Sequence, residues 1–120
     1  MFVGKENKIS ADKLRAGETI IIVGVGESMT PILKSGEPVI VAPVTAETVL
    51  KKNDVVFCKV GGHFYLHKVT AIRNGKTFQI SNNHGHANGW CSRNCIFGVM
   101  IKKIIAAKKF LPQKIFSRNF

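Results

Sequence analysis

A serine and a histidine–lysine pair are the residues of this sequence best suited to nucleophilic chemistry. Ser28 stands in "VGESMTPILKSGEPVIVAP", and His67 and Lys68 stand in "YLHKV". A serine hydroxyl attacks a carbonyl carbon only when a nearby base takes its proton and donors hold the oxyanion that forms. The simpler alternative is that Ser28 is a helix N-cap, because serine is common at that position.

The two candidate bases are neighbours in a predicted strand, so their side chains point to opposite faces of the sheet and only one can face the serine. A neutral imidazole accepts a proton near pH 7, whereas a lysine must first be buried so that its pKa falls. Alternation alone does not choose between His67 and Lys68. The other imidazoles, His63, His84 and His86, remain possible bases.

Short strands joined by tight turns surround these residues. Runs of β-branched and aromatic residues predict strands over residues 19–26, 38–44, 54–60, 63–72, 77–81 and 96–104. The first of them is apolar throughout, which predicts a buried strand. The Gly61-Gly62 pair and the Asn-Gly pair in "RNGK" predict two hairpin turns.

Little helix is predicted. The segment 9–17 predicts a short helix with Ser10 as its N-cap and Gly17 at its end. A second helix of one or two turns is predicted to begin at Ser28, where backbone N–H groups would lie close to the hydroxyl. Together these elements predict a mostly β protein, with a coiled or barrel-like antiparallel sheet and one or two short helices.

The segment "HGHANGWCSRNC" predicts a long polar loop. Two imidazoles and two thiols in it could form a tetrahedral zinc site: His84, His86, Cys91 and Cys95. Their spacing is not that of the usual zinc fingers, so the ordinary polar loop is the preferred interpretation and no cofactor is predicted. The odd number of cysteines, 3, suits a reducing compartment and predicts a cytoplasmic location.

Charge is concentrated at the end of the chain. The 120 residues carry a formal net charge of +11, and residues 102–120 contain no acidic residue. The length predicts one domain over 1–101 followed by a basic tail over 102–120. The tail is predicted to be a solubilising or poorly ordered segment. The alternative is an amphipathic segment that lies on an anionic membrane or partner, with these apolar groups: Ile104, Ile105, Phe110, Leu111 and Phe116. No apolar run reaches the ~20 residues of a spanning helix.

Five segments, taken in order, resemble a known family. They are "GESMTPILKSGEPVIV", "KKNDVVFCKV", "YLHKVTAI", "ISNN" and "IFGVM". The order is similar to that of the signal-peptidase and LexA-like serine peptidases, which have a Ser-Met-x-Pro motif, a strand with the general base, and a Gly-Asp-Asn segment. The ordered set is far more specific than the Ser-Met-x-Pro motif alone, and it covers about residues 20–100.

This resemblance implies a role for several residues. Ser28 matches the nucleophile, whose N–H would form part of the oxyanion hole beside Met29. His67 matches the base of the histidine-type members, and Lys68 matches the basic residue next to it. The segment Ser81-Asn82-Asn83 stands where the family has Gly-Asp-Asn, so the acidic residue is missing and Asn82 and Asn83 are left as supporting residues.

The predicted function is therefore a soluble serine endopeptidase without a spanning helix or a DNA-binding domain ahead of it. It would cleave a specific protein or peptide precursor bound in extended form, with small side chains near the cut. The missing acidic residue favours one alternative, a catalytically inactive member that binds a peptide or protein. Nucleic acid is a poor candidate partner, because the sequence has a basic excess but no recognition helix or aromatic-rich basic motif.

Overall fold

A computed structural model describes residues 4–104. The chain order is α1 (Gly4–Arg15), β1 (Ile20–Val23), β2 (Pro38–Pro43), β3 (Val55–Val60), β4 (His63–Arg73), β5 (Thr77–Ser81), β6 (Ala87–Ser92), a single 3₁₀ turn (Arg93–Cys95) and β7 (Ile96–Lys103). The predicted tail overlaps the end of β7, and its remainder, residues 105–120, lies outside the described residues. No helix within residues 4–104 is long and apolar enough to cross a bilayer.

The strands form one antiparallel sheet of seven strands in the order β1-β2-β7-β3-β4-β5-β6. The sheet curls into a half-barrel, which confirms the predicted mostly β fold. The last strand, β7, is inserted between β2 and β3, so it joins the first strands of the sheet to the hairpins that follow. Bulges interrupt four of the ladders, and bulges increase the local twist and help a sheet to curl.

Apolar side chains fill the two faces of the curled sheet. One cluster packs α1 against the sheet through Leu14, Val41, Phe57 and Leu66, among others. A second cluster lies between β3, β4, β5 and β6 and includes Val56, Val69, Phe78 and Ile80. Gly98 allows the close packing of β7, since a Cβ atom there would lie 2.5 Å from a methyl group of Val41.

The N-terminal helix begins earlier than the sequence predicted. It covers Gly4–Arg15, so Ser10 lies inside it rather than at its N-cap, and that prediction is wrong. The predicted end is close, because Gly17 has a φ of +93° and its N–H donates to the carbonyl of Leu14. This left-handed conformation suits glycine and ends a helix.

The segment after Ser28 forms turns and not the predicted helix. Its backbone hydrogen bonds are isolated, with Thr30 N–H donating to the Glu27 carbonyl (3.2 Å) and Leu33 N–H to the Met29 carbonyl (2.8 Å). Proline explains the difference, since Pro31 has no N–H to donate and disfavours a helical conformation at Thr30.

The two predicted hairpins are present. Gly61-Gly62 joins β3 to β4, and Asn74-Gly75 joins β4 to β5, with positive φ at all four residues. Two other predictions are wrong. The strand β1 lies at the edge of the sheet and leaves Ile21 and Val23 half exposed. The predicted polar loop contains β6, which pairs with β5.

Candidate active site

The hydroxyl of Ser28 and the imidazole of His67 are in direct contact. Ser28 Oγ lies 3.0 Å from His67 Nε2, although 39 positions separate the two residues in the chain. Ser28 lies in the turns between β1 and β2, and His67 lies on β4 opposite Val56 of β3. The His67 side chain is only 3% exposed, whereas Ser28 is partly exposed. The hydroxyl of Ser28 is therefore accessible from solvent, while the imidazole of His67 is largely shielded from it.

The other imidazole nitrogen of His67 faces an amide. Nδ1 lies 2.7 Å from Asn88 Oδ1. An amide oxygen only accepts hydrogen bonds, so Nδ1 carries the proton and Nε2 is left with a lone pair that accepts from the Ser28 hydroxyl. Serine, histidine and asparagine thus form a continuous chain of hydrogen bonds in the order that general-base catalysis requires.

A β-bulge directs Asn88 toward the imidazole. In the ladder between β5 and β6, Ile80 pairs with Gly89 and Ser81 pairs with Ala87, so Asn88 is an extra residue with no partner opposite it. A bulge of this kind turns a side chain away from the regular alternation of the strand. Asn88 is not among the residues predicted from the sequence, because its segment has the composition of a polar loop. The one sequence signal was the Asn88-Gly89 pair, since glycine often marks a bulge.

Burial and hydrogen bonding have opposite effects on His67. Burial lowers the pKa of the imidazole below its usual 6.5, the hydrogen bond to Asn88 opposes this, and the nearby His86 adds to the lowering. At neutral pH the imidazole is therefore uncharged and able to accept a proton.

Lys68 has a partner other than the serine hydroxyl. Its Nζ donates to Asn83 Oδ1 over 2.9 Å. The same asparagine donates through Nδ2 to the carbonyl of Thr30 (3.0 Å) and through its backbone N–H to the carbonyl of Ser28 (2.8 Å). Asn83 therefore joins the strand that carries the base to the segment that carries the hydroxyl.

The neighbouring residues shape and attach the turn that contains Asn83. Asn82 Oδ1 accepts from the backbone N–H groups of His84 (2.8 Å) and His86 (3.0 Å), so Asn82 folds the turn and does not contact the imidazole of His67. His84 Nε2 lies 3.0 Å from the carbonyl of Glu27 and 3.0 Å from Thr30 Oγ1. His84 is thus a second link between this turn and the serine segment.

A shallow apolar pocket opens beside Ser28. Gly24, Val25 and Gly26 contribute to its lining, and Met29, Leu33 and Leu66 are its larger apolar residues. Two charged residues, Lys34 and Glu37, also line it. Met29 is 3% exposed, so its side chain belongs to the core and its backbone continues the turn. Among residues 4–104 the N–H of Ser28 has no hydrogen-bond acceptor, which leaves it able to donate to a bound group.

One finding from comparison with known proteins agrees with this geometry. The model of the Peptidase S24-like family matches residues 4–101, which is most of the chain. The chain belongs to the Peptidase S24-like family. Searches of curated proteins and of solved structures gave no match. The matched region contains Ser28, His67 and Asn88, so the two contacts that join these three residues lie within the family domain.

The histidines and cysteines considered as possible zinc ligands, and set aside in favour of an ordinary loop, do not come together in this S24-like domain. Within residues 4–104 no group of three or more such side chains could hold a metal ion. His84 contacts the serine segment and Cys91 is buried in the second core cluster. Burial is the main cause that raises the pKa of the Cys91 thiol to about 11, so this sulfur is protonated at neutral pH.

Proposed function

We propose that this protein is a serine endopeptidase that cleaves a specific protein or peptide precursor through a Ser28–His67 dyad. The observation that supports this most strongly is the 3.0 Å contact between Ser28 Oγ and His67 Nε2, with Asn88 on the other imidazole nitrogen. Membership of the Peptidase S24-like family supports the same conclusion.

In the first step Ser28 Oγ forms a bond to the carbonyl carbon of the scissile peptide, and its proton passes to His67 Nε2. The carbonyl oxygen becomes an oxyanion, to which the Ser28 N–H donates a hydrogen bond. The tetrahedral intermediate breaks down when the bond from carbon to nitrogen cleaves and His67 returns the proton to the leaving amine. Water, deprotonated by His67, then hydrolyses the acyl-enzyme and restores the serine.

The substrate is bound in an extended conformation along β1. This strand is an edge of the sheet and leads directly into Gly24, Val25 and Gly26, which line the pocket beside Ser28. An edge strand offers unpaired N–H and C=O groups to which an extended peptide can add. The shallow apolar pocket suits a small side chain next to the cut.

The test is to look for new peptide termini after incubation with an unfolded bacterial proteome and with a peptide library prepared from it. The wild-type protein should generate termini with a shared local sequence, detected by mass spectrometry. Ser28→Ala and His67→Gln should each lower the rate of their formation by at least about 1,000-fold, since each removes a group that takes part in bond formation.

Matched variants serve as controls. Ser92→Ala removes an exposed serine of β6, and His63→Gln removes an exposed histidine of the base strand. Both should cleave at close to the wild-type rate. Cleavage by Ser28→Ala at the wild-type rate would refute the mechanism, and no new termini with either substrate pool would refute endopeptidase activity.

One observation favours a second candidate function. The imidazole contacts the amide of Asn88 rather than a carboxylate, and an amide stabilises an imidazolium less than a negative charge does. The alternative is a catalytically inactive member that binds an extended peptide along β1. It predicts that immobilised wild-type protein and Ser28→Ala retain the same peptides from the library and that neither preparation cuts them.

A further inference from the structure

An aromatic ring lies against the face of the general base. The ring of Tyr65 and the imidazole of His67 have centroids 4.8 Å apart and planes 31° apart. The two residues are two positions apart on β4, so their side chains share one face of the strand. The Tyr65 hydroxyl has no hydrogen-bond partner among residues 4–104, so the contact depends on the ring rather than on the hydroxyl.

The proposed reaction places a positive charge on His67 when Nε2 takes the serine proton. Within residues 4–104 the groups that act on this imidazole are Ser28, Asn88, Tyr65 and His86. None of them is a carboxylate, and a protonated His86 would repel the charge. Tyr65 is the remaining group, and the face of its aromatic ring is electron-rich. A cation within about 6 Å of a ring centroid is attracted to such a face.

We propose that Tyr65 is a positioning residue that stabilises the imidazolium form of His67 through its ring and holds the imidazole in the orientation that faces Ser28. The ring thereby supplies part of the stabilisation that the amide of Asn88 does not provide. A ring packed on one face of the imidazole also restricts rotation about the bond from Cβ to the ring, which keeps Nε2 directed at the hydroxyl.

The test is a titration of His67 by NMR in four forms of the full-length protein: wild type, Tyr65→Phe, Tyr65→Leu and Tyr65→Met. Tyr65→Phe keeps the ring and should keep the wild-type titration midpoint of His67. Tyr65→Leu and Tyr65→Met keep an apolar side chain but remove the ring, so the midpoint should move to lower pH. The aliphatic variants should also lower kcat/KM about three-fold, which is the order of one cation–π contact, while Tyr65→Phe should not.

Two results would overturn the inference. The first is an unchanged or higher midpoint in both aliphatic variants, which would mean that Tyr65 only excludes water. The second is a midpoint in Tyr65→Phe that falls as far as in Tyr65→Leu, which would assign the effect to the hydroxyl.

Two aliphatic variants are used so that a folding defect in one leaves the other to decide. The effect on rate rests on the proposed peptidase activity, but the titration does not. An inactive protein with a ring-dependent midpoint would contradict the proposed function and still support the contact between Tyr65 and the imidazolium.

Discussion

His67 lies within β4, which pairs with β3 on one side and with β5 on the other, whereas Ser28 lies between β1 and β2 in a segment without helix or strand. The proposed base is therefore placed by the register of a hairpin, which many backbone hydrogen bonds fix together. The proposed nucleophile is placed by a few separate contacts. Loss of one contact should consequently disturb the serine far more than the histidine.

The contacts that hold the serine segment come mainly from one distant turn. Asn83 binds the carbonyls of Ser28 and Thr30, and His84 binds the carbonyl of Glu27. More than fifty positions separate the donors from the carbonyls, as for Asn83 and Thr30, which are 53 apart. The comparison between the two regions thus predicts that this turn controls catalysis without being essential for the stability of the sheet.

Outside Ser28 and His67 themselves, the largest effect is expected for Asn83→Ala. This change removes the side-chain bond to Thr30 and the acceptor for Lys68, so Ser28 should move relative to His67, and kcat/KM should fall about 100-fold. The free energy of unfolding should fall by only about 1–2 kcal/mol, measured by urea denaturation.

Asn94→Ala is the control for this change. Asn94 contacts Arg15 through its backbone carbonyl, which alanine retains, so both activity and stability should stay near those of the wild type. Asn83→Ala could instead lower the free energy of unfolding by as much as the free energy that corresponds to its loss of kcat/KM. That result would contradict the distinction between the two regions.

The next effect concerns the base itself. Asn88→Asp places a carboxylate where the amide now contacts Nδ1, and the negative charge should stabilise the imidazolium formed in the reaction. We expect kcat/KM to rise about 10-fold and the acid limb of the pH–rate profile to move to higher pH. Asn88→Ala, which leaves Nδ1–H without its acceptor, should lower the rate. Equal rates in the Asp and Ala variants would show that Asn88 does not act on His67.

A smaller effect is expected at Lys68. Lys68→Met removes the donor to Asn83 Oδ1 but keeps a long side chain, and kcat/KM should fall about 5-fold, in line with the loss of one charge-assisted hydrogen bond at a partly exposed site. Lys68→Arg keeps a donor and should recover most of the rate. An inactive Lys68→Met protein, together with a wild-type pH–rate profile controlled by a group far above about 6.5, would instead assign Lys68 as the base.

The smallest effect is the pH dependence that comes from His67 alone. Because burial lowers the pKa of this imidazole below 6.5, the unfolded chain binds more protons than the folded one as the pH falls through that region. The free energy of unfolding should therefore decrease as the pH drops below about 6.5 and level off below the pKa of the folded state.

His67→Gln should lack that part of the decrease, as measured by urea denaturation across the pH range. The acid limb of kcat/KM for the wild type should have its midpoint below 6.5 for the same reason. An identical pH dependence of unfolding in wild type and His67→Gln would contradict the contribution of the buried imidazole.

Local patterns predicted most of the sheet. Six strands, in their order along the chain, were predicted from β-branched runs, and two hairpins were predicted from the Gly61-Gly62 and Asn74-Gly75 pairs. These predictions succeed because turn conformation and alternation depend on neighbouring residues. The wrong predictions fall on segments whose conformation depends on contacts with residues distant in the chain. The segment after Ser28 was predicted as a helix. The strand β6 was predicted as a loop because "ANGWCS" has no β-branched residue, and it gains its strand conformation from pairing with β5.

By itself the sequence determined that a serine in a proline-containing turn and a histidine–lysine pair in a hairpin strand belong to one mostly β domain. Only the tertiary structure decided that the imidazole of His67, and not the amine of Lys68, meets the serine, and that Asn88 is its partner. The physical reason is that alternation has a period of two residues and so fixes which side chains share a face. The curl of the sheet and the bulge at Asn88 decide which residues each face contacts.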